Sequence, residues 1–123
     1  MSRFFLIAAS FYGFVGVAAG AFGSHTLSSR LSSDMLEIFE TAVRYQLYHI
    51  PGLALAGWAA GKYEERHFFV AGWLFVCGVA LFSGSLYILS LSGAHLWGAV
   101  TPVGGVGLLV GWFYLGWGFL KTR

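Results

Sequence analysis

An all-α membrane protein, with four transmembrane helices in an up-down bundle, is the fold class predicted by three observations. The 123 residues are 58% hydrophobic and only 10% charged, with a mean hydropathy of +0.74, whereas a soluble domain carries about 25% charged residues. Three long stretches, Phe4 to Ser24, Phe68 to Ala94 and Leu96 to Leu120, contain no Asp, Glu, Lys, Arg or His. The 18 glycines recur largely at helical spacing. A soluble domain of this size leaves about a third of its unfolded surface exposed, and seven basic and five acidic side chains cannot coat it. Four spans of about 20 residues leave about 40 residues for loops and tails. That excludes an extramembrane catalytic or nucleic-acid-binding domain.

The first span is expected over about 4–24. A cleavable secretory signal is its alternative reading, because Arg3 precedes the run and small residues end it. The run exceeds the 7 to 15 apolar residues of a signal core, so retention is expected. Residues 27–41 come next. Leu27, Leu31, Met35, Ile38, Phe39 and Ala42 form a helical apolar stripe, while Arg30, Asp34, Glu37 and Glu40 take other faces. This spacing predicts a short amphipathic helix on the outer membrane surface, N-capped by Ser33 or Asp34, running into the second span.

The second span is expected over about 42–61, with Arg44 at the membrane edge. Pro51 cannot donate to the Leu47 carbonyl and should bend it. The third span is expected over about 68–91. For the fourth, about 102–120, Thr101 is the expected cap and Pro102 the first helical residue. Both termini and the 62–67 loop then share a side with Arg3, Lys62, Arg66, Lys121 and Arg123, leaving Arg30 and Arg44 opposite. The positive-inside rule makes both termini cytoplasmic.

Gly13, Gly16, Gly20 and Gly23, then Gly57 and Gly61, then Gly104, Gly107 and Gly111 each lie along one helix face. Small residues let backbones approach closely where lipid removes the hydrophobic driving force, within the bundle or between copies. Glu40, Arg44, Tyr45, Gln46 and His49 make the second span the main polar constellation, with His25 on the same half of the membrane. Glu40 and Arg44 have the i, i+4 spacing of an ion pair. No two histidines have the spacing of a helix-borne metal site, so no metal or cofactor is expected. Ser83 and Ser85 flank Gly84 without a nucleophile elbow, and are expected to bond a neighbouring helix or their own backbone.

Gly20-Ala21-Phe22-Gly23-Ser24-His25, the Ala42-x-x-Tyr45-Gln46-x-x-His49 pattern, Leu81 to Tyr87, and Thr101 to Gly105 occur in order. Together they resemble the domain-of-unknown-function 423 family of small bacterial inner-membrane proteins, similar to the animal transmembrane protein 256 group. Ser24 stands where that family's first motif is expected to have alanine. The resemblance implies a compact multi-pass membrane protein of the cell inner membrane, without an established reaction. The chain is not expected to be an enzyme. A membrane interaction or structural protein is the first expectation, with the lipid bilayer, a second copy or another membrane protein as partner, and no nucleic acid. The alternative is a small transporter or channel for an ion, lipid or small solute, using the polar face of the second span.

Overall fold

The computed structural model describes residues 2–123, and all regular structure among them is helical. The α-helices are α1 (Ser2–His25), α2 (Ser33–Tyr48), α3 (Ile50–Lys62), α4 (Arg66–Ser92) and α5 (Thr101–Lys121). Short 3-10 turns, Leu27–Ser29 and His95–Ala99, carry the chain between helices at the end opposite the termini. Three helical segments, Ser2–Ser29, Arg66–Ser92 and His95–Lys121, are long and apolar enough to cross a membrane.

Helices α2 and α3 act as one broken rod laid antiparallel along α1. A Cβ placed on Gly23 would meet Phe39, on Gly20 Val43, on Gly16 Leu47 and on Gly13 Ile50; beyond the break, Gly57 meets Phe5 and Gly61 meets Ser2. The register therefore passes through the break without a slip. It also brings the start of α4 beside the start of α1, where Phe5 fills the space over Gly72.

The seam between α4 and α5 repeats every seven residues. Gly104, Gly111 and Gly118 face Phe82, Phe75 and Phe68 in antiparallel order. A seven-residue repeat keeps one seam facing its partner over several turns, as in knobs-into-holes packing. The closest approach is at Gly104, where an added Cβ would lie 2.9 Å from the Leu81 carbonyl carbon and against the Phe82 backbone nitrogen. Only glycine fits there without moving main chain.

Several sequence expectations need correction. The helix expected over 27–41 begins later: after the Leu27–Ser29 turn, α2 starts at Ser33 and runs unbroken to Tyr48. Its apolar stripe packs into the bundle, Phe39 and Val43 with Leu27 and Ala42 with Leu86 and Leu89, because Gly23 admits the Phe39 ring. The N-cap is Ser32, whose hydroxyl accepts from the Met35 N–H at 3.2 Å, not Ser33 or Asp34. Thr101 is the first residue of α5 and not its cap; its hydroxyl lies 2.6 Å from that of Ser85. At Pro51 the rod breaks into two helices, with Pro51 in the first turn of α3. Gly93 ends α4 in the left-handed conformation that favours glycine, φ 72°.

At the terminal end, Lys62 lies over the Trp58 ring at 4.8 Å and Lys121 over Trp117 at 5.4 Å. Amphipathic rings and snorkelling lysines belong at a membrane-water boundary.

Candidate functional site

The polar residues of the second expected span do not share one face of a common site. Gln46 points into the bundle and is 2% exposed. Its Nε2 donates to the Tyr12 carbonyl of α1 at 2.8 Å, and its Oε1 accepts from the Tyr87 hydroxyl of α4 at 2.7 Å. The Tyr12 hydroxyl continues the chain of bonds to the Val76 carbonyl at 2.6 Å. One amide thus ties three helices together. A few residues away, Ser83 of α4 donates to the Ala42 carbonyl at 2.7 Å. Ser85 bonds the Phe82 carbonyl and Thr101, so both serines are engaged in packing.

His49 closes the break. Because Pro51 has no N–H, the Leu47 carbonyl takes the His49 backbone N–H instead. That leaves the Tyr45 carbonyl without the donor that a continued helix would supply, and the His49 Nδ1 bonds it at 2.6 Å. A carbonyl only accepts, so Nδ1 carries the proton. A helix broken at membrane depth must re-satisfy its freed backbone groups, and here the side chain at the break does so. The imidazole is held between Phe75 and Trp112, with ring centroids 5.9 and 5.7 Å away.

Arg44 and Glu40 stand on the outside of the rod, both exposed. The expected pair is absent: Arg44 donates to the Thr41 hydroxyl at 3.1 Å, and the carboxylate contact found among the described residues is a hydrogen bond between His67 and Glu65 at 3.1 Å. The i, i+4 spacing permits contact, but in the open, side-chain entropy and hydration outweigh it. Glu40, Arg44 and Gly20 border a small cleft of about 210 Å³ between α1 and α2. Tyr45, also exposed, packs on Phe82 with centroids 4.8 Å apart. His25 is exposed at the end of α1 and has no hydrogen bond to the other members of the set. Among the described residues no three His, Cys, Asp or Glu side chains converge as a metal site would require.

A second cavity, about 430 Å³, lies where the α2–α3 break meets α4 and α5. Tyr45, His49, Phe82 and Trp112 form its aromatic walls, with Leu108 and Leu109 along α5. Sequence reasoning did not find Phe82 or Trp112 as members of a site. Nothing in their local pattern separates them from packing residues: α2 against α4 brings Phe82 to Tyr45, and the antiparallel register of α4 and α5 brings Trp112 to Phe75 and His49.

Long apolar helices, glycine seams and interior hydrogen bonds between helices together define a multi-pass membrane protein. The sequence profile described as "Protein of unknown function (DUF423)" matches residues 19–105, and the chain belongs to that family of small bacterial inner-membrane proteins. It is 41% identical over 119 residues to a UPF0382 membrane protein of Staphylococcus saprophyticus, covering 97% of this chain and 98% of the relative. It is 40% identical over 124 residues to the UPF0382 inner membrane protein YgdD of Escherichia coli K12, covering 99% and 93%. The UPF0382 membrane protein YwdK of Bacillus subtilis is 37% identical over 114 residues, 92% of this chain and 93% of the relative. No solved structure matches the chain.

Proposed function

We propose that the chain is a non-enzymatic interaction protein of the cell inner membrane, crossing it four times with both termini cytoplasmic. The observation that carries this reading is the closed polar interior. Gln46, Tyr87, Ser83 and Ser85 spend their hydrogen bonds on neighbouring helices, and no buried side-chain polar atom among the described residues lacks a partner. A transport path would need Arg44, Gln46 and His49 to line it together. They instead face the outside, the bundle interior and a lateral cavity.

Four crossings are supported by geometry. Since α4 begins beside the beginning of α1, the chain returns through the whole thickness between them, and the α2–α3 rod makes that return with residues 42–61. Five basic residues, including Lys62, Arg66 and Lys121, share the terminal end, which supports its cytoplasmic placement. The printed name of the Escherichia coli relative supports the inner membrane. The partner is a second copy or another membrane protein, met through lipid-facing side chains such as Phe14 and Phe113.

The test uses the intact chain in native-membrane nanodiscs, with photo-crosslinking residues at Phe14 and Phe113. A discrete crosslink to a second copy or to one membrane protein is expected. Solute flux in proteoliposomes above that of empty liposomes, abolished by Arg44→Ala, would overturn the reading. A reporter after Arg123 that works only outside the cytoplasm would overturn the orientation.

A further inference from the structure

The cavity at the α2–α3 break holds a polar atom that the fold leaves unused. His49 is 7% exposed and its Nδ1 proton is committed to the Tyr45 carbonyl. In the neutral ring this makes Nε2 a lone-pair acceptor. Nε2 has no hydrogen-bond partner among the described residues, yet it is not sealed in, since no fully buried side-chain polar atom lacks one. His49 is one of the residues that line the cavity. The Tyr45 hydroxyl, at the same wall, likewise has no hydrogen bond to the protein among the described residues.

We propose that this cavity binds a lipid-soluble phenol or hydroquinone, its ring hydroxyl donating to His49 Nε2. Each feature of the chemistry follows from a wall. An acceptor nitrogen asks for a donor, and it excludes ethers, esters and ketones as the group that bonds it. The flanking rings of Tyr45, Phe82 and Trp112 suit a flat aromatic body, because aromatic pairs prefer stacked or edge-to-face contact. Leu109, 72% exposed on α5, opens the cavity sideways and lets an alkyl tail continue into lipid. The volume, about 430 Å³, lies within the range of sites for small ligands, roughly 300 to 1,000 Å³. A mostly apolar cavity with one or two fixed polar groups is the usual build of such a site. A lipid acyl chain would fill the apolar walls but leave Nε2 unbonded. The fold would then hold an acceptor in hydrocarbon with nothing to accept.

The inference rests on the four-span reading, which puts the cavity mouth against lipid. The experiment places the intact chain in phosphatidylcholine nanodiscs with a diazirine-bearing long-chain alkylphenol, and separately with its methyl ether. Saturable crosslinking to the 102–112 region is expected for the phenol, with at least 10-fold weaker labelling by the ether. In His49→Phe, which keeps an aromatic ring and loses the acceptor, phenol and ether should label alike. Val106→Trp, at a lipid-exposed position on the same wall, should abolish labelling while thermal stability is retained; this covers the case in which His49→Phe disturbs the break. Equal labelling of the native chain by phenol and ether means that an acyl chain fills the groove, and overturns the proposal. Reaction of Leu55→Cys, at an exposed position of α3 and made in a Cys77→Ser background, with a water-soluble maleimide would instead overturn the four-span reading on which it stands.

Discussion

Two seams of this bundle are built on different principles. Between α4 and α5, phenylalanines enter spaces over glycines at a seven-residue repeat, and the one side-chain hydrogen bond described across that seam joins Ser85 to Thr101 at its end. Between the α2–α3 rod and its neighbours, glycines also bring the helices close, but Gln46, Tyr12, Tyr87, Ser83 and His49 all bond main chain or one another. Shape carries nearly the whole seam between α4 and α5. Where the rod is broken, the carbonyl freed inside hydrocarbon must be met, as His49 meets that of Tyr45, while Gln46 and Ser83 add bonds to carbonyls that lie within intact helical turns. The Ala42-x-x-Tyr45-Gln46-x-x-His49 pattern is therefore the joint of the rod: the Ala42 carbonyl takes the Ser83 hydroxyl, Gln46 ties the rod to α1 and α4, and His49 closes the break.

The sharpest way to break this contrast is to add volume on the dry seam. Gly104→Leu forces the side chain into the Phe82 main chain, which cannot rotate away. Overpacking costs about 1–3 kcal/mol where side chains can yield, so a loss at or above the top of that range is expected, read as loss of folded protein in a denaturant titration in micelles. Gly116→Ala is the control, since nothing lies within 4 Å of its added Cβ. It should unfold at the native midpoint or slightly beyond it.

On the polar seam the sensitive position is Gln46. Gln46→Leu keeps similar volume and removes both of its helix-to-helix bonds, leaving the Tyr87 hydroxyl unpaired while the Tyr12 carbonyl keeps its donor within α1. Such an orphaned hydroxyl costs about 1–3 kcal/mol by analogy with water-soluble proteins, but interhelical bonds in membranes average nearer 0.6 kcal/mol. A total of about 1–3 kcal/mol is expected from these two bounds. Adding Tyr87→Phe to Gln46→Leu should cost little more, because the bond is already gone. A fully additive double variant would show that the amide does not hold Tyr87. Ser83→Ala removes a single bond to the Ala42 carbonyl and should cost about 0.6 kcal/mol, up to about 1.7.

These contrasts also mark what the sequence could disclose. Glycine spacing was legible, but a helix face carries no label for the face it meets, and nothing in the sequence set Phe68, Phe75 and Phe82 opposite Gly118, Gly111 and Gly104. The partner emerges only from the antiparallel register of α4 on α5. Pro51 announced a disturbed helix, because a missing N–H is a property of the residue itself. That the break would fall at His49, and that the imidazole would take the place of a backbone donor, depends on rotamers fixed by Phe75 and Trp112, residues distant in sequence. The polar stripe around Glu40 to His49 was visible as a stripe. Its division among interior, cavity and outside was not, because a helical wheel gives angles and not neighbours. The apolar stripe of 27–41 was ambiguous for the same reason: it could meet membrane or helix, and Phe39 of that stripe meets α1 over Gly23.

The smallest expected effect concerns Glu40 and Arg44, whose spacing suggested a pair and whose side chains stand apart. In a double-mutant cycle with Glu40→Gln and Arg44→Gln, the coupling energy should fall below about 0.3 kcal/mol, the lower end for exposed helix pairs. Arg44→Gln alone loses a hydrogen bond to the Thr41 hydroxyl, so Thr41→Val should be coupled to it more strongly than Glu40→Gln is. If the Glu40 coupling is instead the larger, the two charges pair in the bilayer interface. The outer face of the rod would then be bonded by charge as its inner face is by amide, and the division between a stitched interior and an uncoupled exterior would have to be given up.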